Sequence, residues 1–238
     1  MPAAVKKEEG LDRELAVAQA LQYADALRQL YGREREQRRV AEDAYAQLAD
    51  SYGTTVRALA AALELRDDAT GSHAERVARL ALDVARLVDP GLASDPELEY
   101  GFLLHDLGKI GVPDAILLKP GPLTARELET MRDHPILGER IVARVPFLCG
   151  VARQVVAAHH ERWDGTGYPR RLQGLQIPIA ARVFSIADAF DAMTHERPYR
   201  AAMKLDAALA EIRRGSGTQF EPQIVDAFLS LAEVQAAA

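Results

Sequence analysis

Cysteine is almost absent: Cys149 stands alone, which excludes an internal disulfide and fits a reducing compartment. No apolar run approaches the roughly 18 to 20 residues of a membrane helix. The opening MPAAVKKEEG leads into charged helix formers instead of the apolar centre of a signal peptide, so the expectation is a soluble, unexported, cytoplasmic chain. There is no excess of positive charge either. With 29 Lys plus Arg against 35 Asp plus Glu the net charge is −6, which argues against a nucleic-acid polymer as partner. Any polyanion must meet a local basic patch. Proline is nearly missing from the first third: of the 12 prolines, all but Pro2 lie at residue 90 or later.

What is present points to a long helix followed by a punctuated helical domain. The 238 residues are 48% hydrophobic, enough for one substantial core and a modest extension. Residues 11 to 63 run on Ala, Leu, Glu, Arg and Gln. Within them Ala24, Leu27, Tyr31, Ala41, Tyr45, Leu48 and Tyr52 recur at spacings of three and four, with Glu34 and Arg38 in two seam positions. This imperfect heptad predicts a dimeric coiled coil, the other reading being one amphipathic helix on its own domain. From residue 54 the apolar positions keep a helical period and no stretch demands a strand, so the fold class is all-α. The predicted organisation is a flexible 1–10, a helical 11–53, a punctuated helical domain over 54–234 and a tail at 235–238.

The informative anomaly is polar: histidines and aspartates occupy inward stripes where a simple bundle would place Leu or Val. Ser72 with Glu75 reads as a capping box, so His73 opens a helix whose buried face continues through Val77, Leu80, Val84 and Leu87. Asp95-Pro96 starts another whose face reads Leu98, Phe102, His105 and Lys109, with Asp106 about 100° around from His105. His159 and His160 each follow a valine by four residues, Asp188 and Asp191 extend the stripe of Ala181 and Phe184, and His134 precedes Pro135 at a further helix start. Singly, each reads as a hydrogen-bonded core histidine or a capping aspartate. Together, five of the six histidines and two aspartates on facing helices need a shared positive charge, which a metal centre supplies. His195, between Thr194 and Glu196, reads as a surface or cap residue.

These residues make the sequence resemble the HD-GYP family, a subgroup of the HD superfamily of metal-dependent phosphohydrolases. The match covers about residues 56 to 232 and rests on Thr70-Gly71-Ser72-His73, His105-Asp106-Leu107-Gly108-Lys109, His134-Pro135, the run from His159-His160 to Gly167-Tyr168-Pro169, Ala187-Asp188 and Arg197-Pro198-Tyr199-Arg200. The resemblance implies an all-α bundle around a metal cluster that hydrolyses cyclic di-GMP. It implies that His73, His105, Asp106 and Asp188 hold one metal, and His134, His159, His160 and a bridging Asp106 the second. Seven residues then make eight contacts, leaving two positions open on each octahedral ion for a bridging hydroxide and phosphate oxygens. Five imidazoles and two carboxylates suit iron first and manganese second. Some family members hold a third metal with a glutamate four residues before the first histidine; here that position is Ala69, so two ions are expected.

By the same resemblance Lys109 contacts the scissile phosphate or assists the leaving oxygen, and Arg197 and Arg200 bind substrate; Asp191 is a further substrate-binding candidate. The structural alternatives are a salt bridge from Lys109 to an outer carboxylate and pairing of the two arginines with surface acids. The Gly165–Pro169 loop reads as a docking surface, for which the family suggests GGDEF-type domains, while Arg162, Arg170 and Arg171 either bind an acidic surface or keep the loop soluble. The leading function is a cyclic di-GMP phosphodiesterase giving linear pGpG, with further cleavage to GMP open. The competitors are a non-catalytic cyclic di-GMP receptor and a hydrolase of another cyclic dinucleotide or a nucleoside triphosphate.

Overall fold

The computed structural model describes the backbone of residues 2–67, 73–196 and 202–237, and side chains over 15–66, 73–196 and 202–232. Contacts divide the chain into two compact units, 1–53 and 54–238. The helix α1 (Pro2–Asp67) begins ahead of position 11 and runs past its expected end near 63. Over residues 15–52 its side chains are exposed, the seam residues Leu27, Tyr31, Tyr45 and Leu48 included. Local terms hold it: helix-favouring residues, and pairs such as Arg38 with Glu42 at 2.8 Å and Arg39 with Glu36 at 2.7 Å.

The second unit is a helical bundle; among the described residues there is no strand, only an isolated bridge between Ser216 and Phe220. Its helices after the end of α1 are α2 (His73–Val88), α3 (Pro90–Ala93), α4 (Pro96–Leu103), α5 (Asp114–Leu117), α6 (Ala125–Arg132), α7 (His134–Val142), α8 (Val151–Ala158), α9 (Ile179–Thr194), α10 (Leu205–Arg214) and α11 (Pro222–Ala237). The last of these continues into the expected tail as far as Ala237. Helix α2 packs on α9, α4 and α11, and α8 packs on α4, α7 and α9.

Two local expectations are corrected. The buried face of α2 is Ala74, Val77, Ala78, Ala81, Val84 and Ala85, whereas Leu80 is only half-buried and Leu87 is 54% exposed. Alanines let the neighbouring helices approach closely, and that contact rotates the helix away from its leucine stripe. Helix α4 stops at Leu103 and does not carry His105 and Lys109 on its face. Its start is as expected, with Asp95 accepting from Glu97 N at 2.9 Å and Pro96 behind it. The chain then turns through His105 and Asp106 into a 3₁₀ segment, Leu107–Gly111. Gly108 explains the break: a Cβ there would lie 1.8 Å from the carbonyl oxygen of His134, so the turn is pressed against α7 where only glycine fits.

Ser72 of the predicted capping box lies outside the described residues, and Glu64 of α1 accepts from Ala74 N at the start of α2. Arg66, two residues on, donates to Lys109 O at 2.9 Å and Val112 O at 2.7 Å and pairs with Asp114 at 2.6 Å. The apolar floor of the bundle is built from Phe102 and Phe184, stacked at 5.3 Å, with Leu98, Ile186, Ile212, Ile224 and Phe228. Burying each such side chain contributes about 1.5–3 kcal/mol.

Candidate metal centre

Six of the seven donors sit at a helix end or turn, and Asp188 lies within a helix. His73 opens α2, His105 and Asp106 occupy the turn after α4, His134 opens α7, His159 and His160 follow the last turn of α8, and Asp188 lies on α9. They form two groups: His73, His105 and Asp188, and Asp106, His134, His159 and His160. Within each group one donor atom per residue lies within 4.8 Å of the others. Asp106 faces both. Its Oδ2 is 3.1 Å from His105 Nε2, while its Oδ1 is 3.2 Å from His134 Nε2 and 3.8 Å from His159 Nε2. Asp188 Oδ1 is 3.3 Å from His73 Nε2.

The hydrogen bonds behind the rings set which nitrogen faces the centre. His105 Nδ1 donates to Phe102 O at 2.9 Å, His134 Nδ1 to Met131 O at 2.8 Å and His159 Nδ1 to Val156 O at 3.0 Å. A carbonyl only accepts, so each Nδ1 carries the proton and each neutral ring turns an Nε2 lone pair inward. His73 Nδ1 donates to Asp191 Oδ2 at 2.7 Å and so also turns Nε2 to the centre; burial opposes charge on this ring, but Asp188 and Asp191 raise its pKa to about 9, so a metal ion there would displace the Nε2 proton.

This arrangement fits divalent metal ions. His134 Nε2 and His159 Nε2 are 3.1 Å apart, and two lone pairs at that separation, with the Asp106 carboxylate beside them, call for a shared cation. Burial, reinforced by the neighbouring imidazoles, keeps the His159 pKa well below its ordinary value, and burial with His134 lowers His160 to about 4. Both are neutral, ligation-competent rings at pH 7. Burial opposes charge on Asp106 and Asp188, yet Lys109 and His105 around the first, and His73 and His105 around the second, hold both carboxyls below the ordinary range.

The other candidates fall around this centre. Lys109 Nζ lies 2.7 Å from Asp106 Oδ2, beside the carboxylate common to both groups. Asp191 is buried and fully engaged: besides His73 it accepts from Arg76 Nε at 2.8 Å, and its Oδ1 is 3.0 Å from His195 Nδ1. Its contacts make it a brace for His73. His195 caps α9, as the sequence suggests. Arg197, Arg200 and Ala69 lie outside the described residues.

Glu161 is a contributor that sequence reasoning passed over. Buried to 3% exposure, its carboxylate accepts from Arg170 N at 2.7 Å and Leu172 N at 3.0 Å and so fixes the Gly165–Pro169 loop. Gly167 packs against the Glu161 backbone, where a Cβ would lie 2.4 Å from Arg162 N. The loop presents Tyr168 to the centre, its ring stacked on His160 at 4.7 Å.

The profile of the HD domain family matches residues 57–224. Over 195 residues the chain is 40% identical to a protein of Thermotoga maritima named cyclic di-GMP phosphodiesterase, covering 81% of this chain and 53% of that one. Over 172 residues it is 40% identical to 3'3'-cGAMP-specific phosphodiesterase 2 of Vibrio cholerae, covering 72% and 33%. The chain thus spans about half the length of the first relative and a third of the second. The crystal structure of a cyclic GMP-AMP specific phosphodiesterase of V. cholerae aligns with a TM-score of 0.57 at 20% identity, over 75% of this chain and 48% of that one, a likeness of fold. No helix among the described residues is long and apolar enough to cross a membrane.

Proposed function

We propose, from the premise that this chain belongs to the HD domain family in its HD-GYP subgroup, that it hydrolyses cyclic di-GMP at a two-ion centre. The observation that carries the reading is the pair of donor groups joined through the two oxygens of Asp106. In this reading His73, His105, Asp106 and Asp188 hold one ion, and Asp106, His134, His159 and His160 the other. The imidazole-rich set favours iron, then manganese. Bound there, the ions supply charge neutralisation at phosphorus and acidify a water near neutral pH.

The chain's own groups do the rest. The Nδ1 bonds to carbonyls lock three rings in the ligating tautomer and Asp191 orients His73, so substrate entry requires no reorganisation of the donors. Phe184, 4.7 Å from the His105 ring, excludes water from beneath the centre. Lys109 brings an ammonium beside the shared carboxylate, where it stabilises charge on a phosphate oxygen or the leaving oxygen. Arg197 and Arg200 are assigned to the substrate phosphates on the family resemblance. The product is pGpG, with GMP following if the linear dinucleotide is cleaved again.

Equal identity to relatives named for cyclic di-GMP and for 3'3'-cGAMP makes the mixed dinucleotide the second reading of the same site. The intact donor set argues against a purely receptor role. Around the enzyme we place a homodimer formed through the exposed seam of Leu27, Tyr31, Tyr45 and Leu48, a GGDEF-type partner at the Gly165–Pro169 loop, and a cytoplasmic setting. The test is turnover of cyclic di-GMP and 3'3'-cGAMP by protein prepared without oxygen, with product and metal stoichiometry read from the same sample. Two ions per chain and pGpG formation are expected. Nucleotide binding by metal-loaded protein without turnover would overturn the assignment.

A further inference from the structure

Four arginines surround the Gly165–Pro169 loop, and only two are committed to acids. Arg162 Nη2 lies 3.2 Å from Asp164 Oδ2, and Arg170 pairs with Glu139. Arg132 and Arg171 have no carboxylate partner among the described residues; Arg132 instead sits over the Tyr168 ring, 5.3 Å from its centroid. With Gly165, Thr166, Gly167 and Tyr168 these two line a concavity of about 360 Å³, a volume on the scale of nucleotide sites. Tyr168 is the wall it shares with the candidate metal centre, since the same ring stacks on His160.

The fold fixes Arg171 with some effort. Its φ of 55° is in the left-handed region that non-glycine residues avoid, a conformation that persists only where the surroundings over-determine it. Glu161 does this by accepting from the backbone N–H on either side, at Arg170 and at Leu172. The charged groups of the wall, the guanidiniums of Arg132 and Arg171, are donors. The Thr166 hydroxyl is already engaged, donating to Asp164 Oδ1 at 2.6 Å and accepting from Arg162 Nε at 3.0 Å.

A wall whose charged groups are all donors, with a planar cation against an aromatic ring, matches one partner best. Guanine presents two acceptors, O6 and N7, on one edge, whereas adenine places an N6 donor there. A lone phosphate would use neither the volume nor the ring. We propose that this concavity is a guanine subsite, in which Arg132, held on Tyr168, is the stacking platform and Arg171 reads the O6/N7 edge. Arg171 thereby sets the preference among cyclic dinucleotides, while Arg132 adds affinity for any base. This rests on the reading of the substrate as a cyclic dinucleotide.

The experiment uses the metal-loaded full chain and measures binding of GMP and AMP by calorimetry beside kcat and KM for cyclic di-GMP, 3'3'-cGAMP and cyclic di-AMP. Arg171→Ala should lose on the order of 10- to 100-fold in GMP affinity and leave AMP within about 2-fold, the discrimination of one bidentate pair. Arg171→Gln should move the preference toward adenine. Arg132→Ala should weaken both nucleotides alike, because a platform is indifferent to base identity. Equal loss for GMP and AMP in Arg171→Ala, the sign of a phosphate contact, overturns the proposal, as does no change in either. If the wild type turns over no cyclic dinucleotide while the GMP/AMP pattern holds, the catalytic reading fails and the subsite stands. Turnover without the pattern sinks the subsite alone.

Discussion

Replacing Asp191 by Asn changes one atom of a buried group and separates a brace from a substrate contact. The carboxylate accepts from His73 Nδ1 at 2.7 Å on Oδ2, which also takes a longer bond of 3.1 Å from Arg76 Nη2, and from Arg76 Nε at 2.8 Å on Oδ1. An amide keeps one oxygen. Hydrogen bonds to a charged partner are worth about 1.5–3 kcal/mol against about 1 for a neutral pair, so the Arg76 guanidinium takes that oxygen and the amide nitrogen faces His73. The His73 ring then accepts at Nδ1 and carries its proton on Nε2, the atom that faces Asp188 and the centre. Returning it to the ligating tautomer sets N–H against N–H, a cost of about 1.5–3 kcal/mol, or roughly 10- to 100-fold in affinity. Titration of metal into stripped Asp191→Asn protein, followed by metal analysis and anomalous scattering, should show the ion near His73, His105 and Asp188 weakened by that factor. The ion near His134, His159 and His160 should hold as in wild type, and KM at saturating metal should stay within about 2-fold. Wild-type affinity for both ions combined with a raised KM would refute the reasoning and make Asp191 a substrate contact.

Asp106→Ala removes the group common to both donor sets, so turnover should fall on the order of 100-fold or more and metal content drop sharply; retained metal with wild-type turnover would contradict the two-group assignment. Gly108→Ala places a methyl 1.8 Å from a backbone oxygen that cannot step aside, and should cost about 3 kcal/mol or more, lowering the melting temperature by about 6–12 °C. The Asp164 carboxyl is partly buried, which alone would raise its pKa, but bonds from Thr166 and Arg162 hold it at about 2 against 3.8. A depressed folded pKa contributes stability that is full above 3.8 and lost as pH falls toward 2, so the loop around Trp163, the only tryptophan, should loosen over that interval. Its fluorescence reports the change, and Asp164→Asn should remove that part of the pH dependence.

The meeting of seven donors was legible because each breaks the apolar pattern of its own helix, and burying imidazoles and carboxylates together has few solutions. The all-α class was legible from period alone. What periodicity could not reveal are events decided by tertiary contact. Leu98, Phe102, His105 and Lys109 continue a helical stripe in the sequence, yet the helix stops because Gly108 must meet α7. Asp188 and Asp191 share a stripe as well, but three residues of helix turn the second toward Arg76 and His195. Glu161 looked like one more charge in a polar loop; its role depends on two backbone N–H groups arriving nine and eleven positions later.

The guanidinium of Arg66 ends on main-chain oxygens, those of Lys109 and Val112, with Asp114 as a third anchor. Side-chain exchange within that 3₁₀ segment leaves such moorings untouched; only displacement of the strand of peptide itself undoes them. A twist of the terminal turn of α1 by one residue, about 100°, would swing the anchor off both oxygens and free the segment that carries the ammonium beside Asp106. Torque on a helix end is thereby convertible into a shift of one cation, a mechanical input with a chemical output.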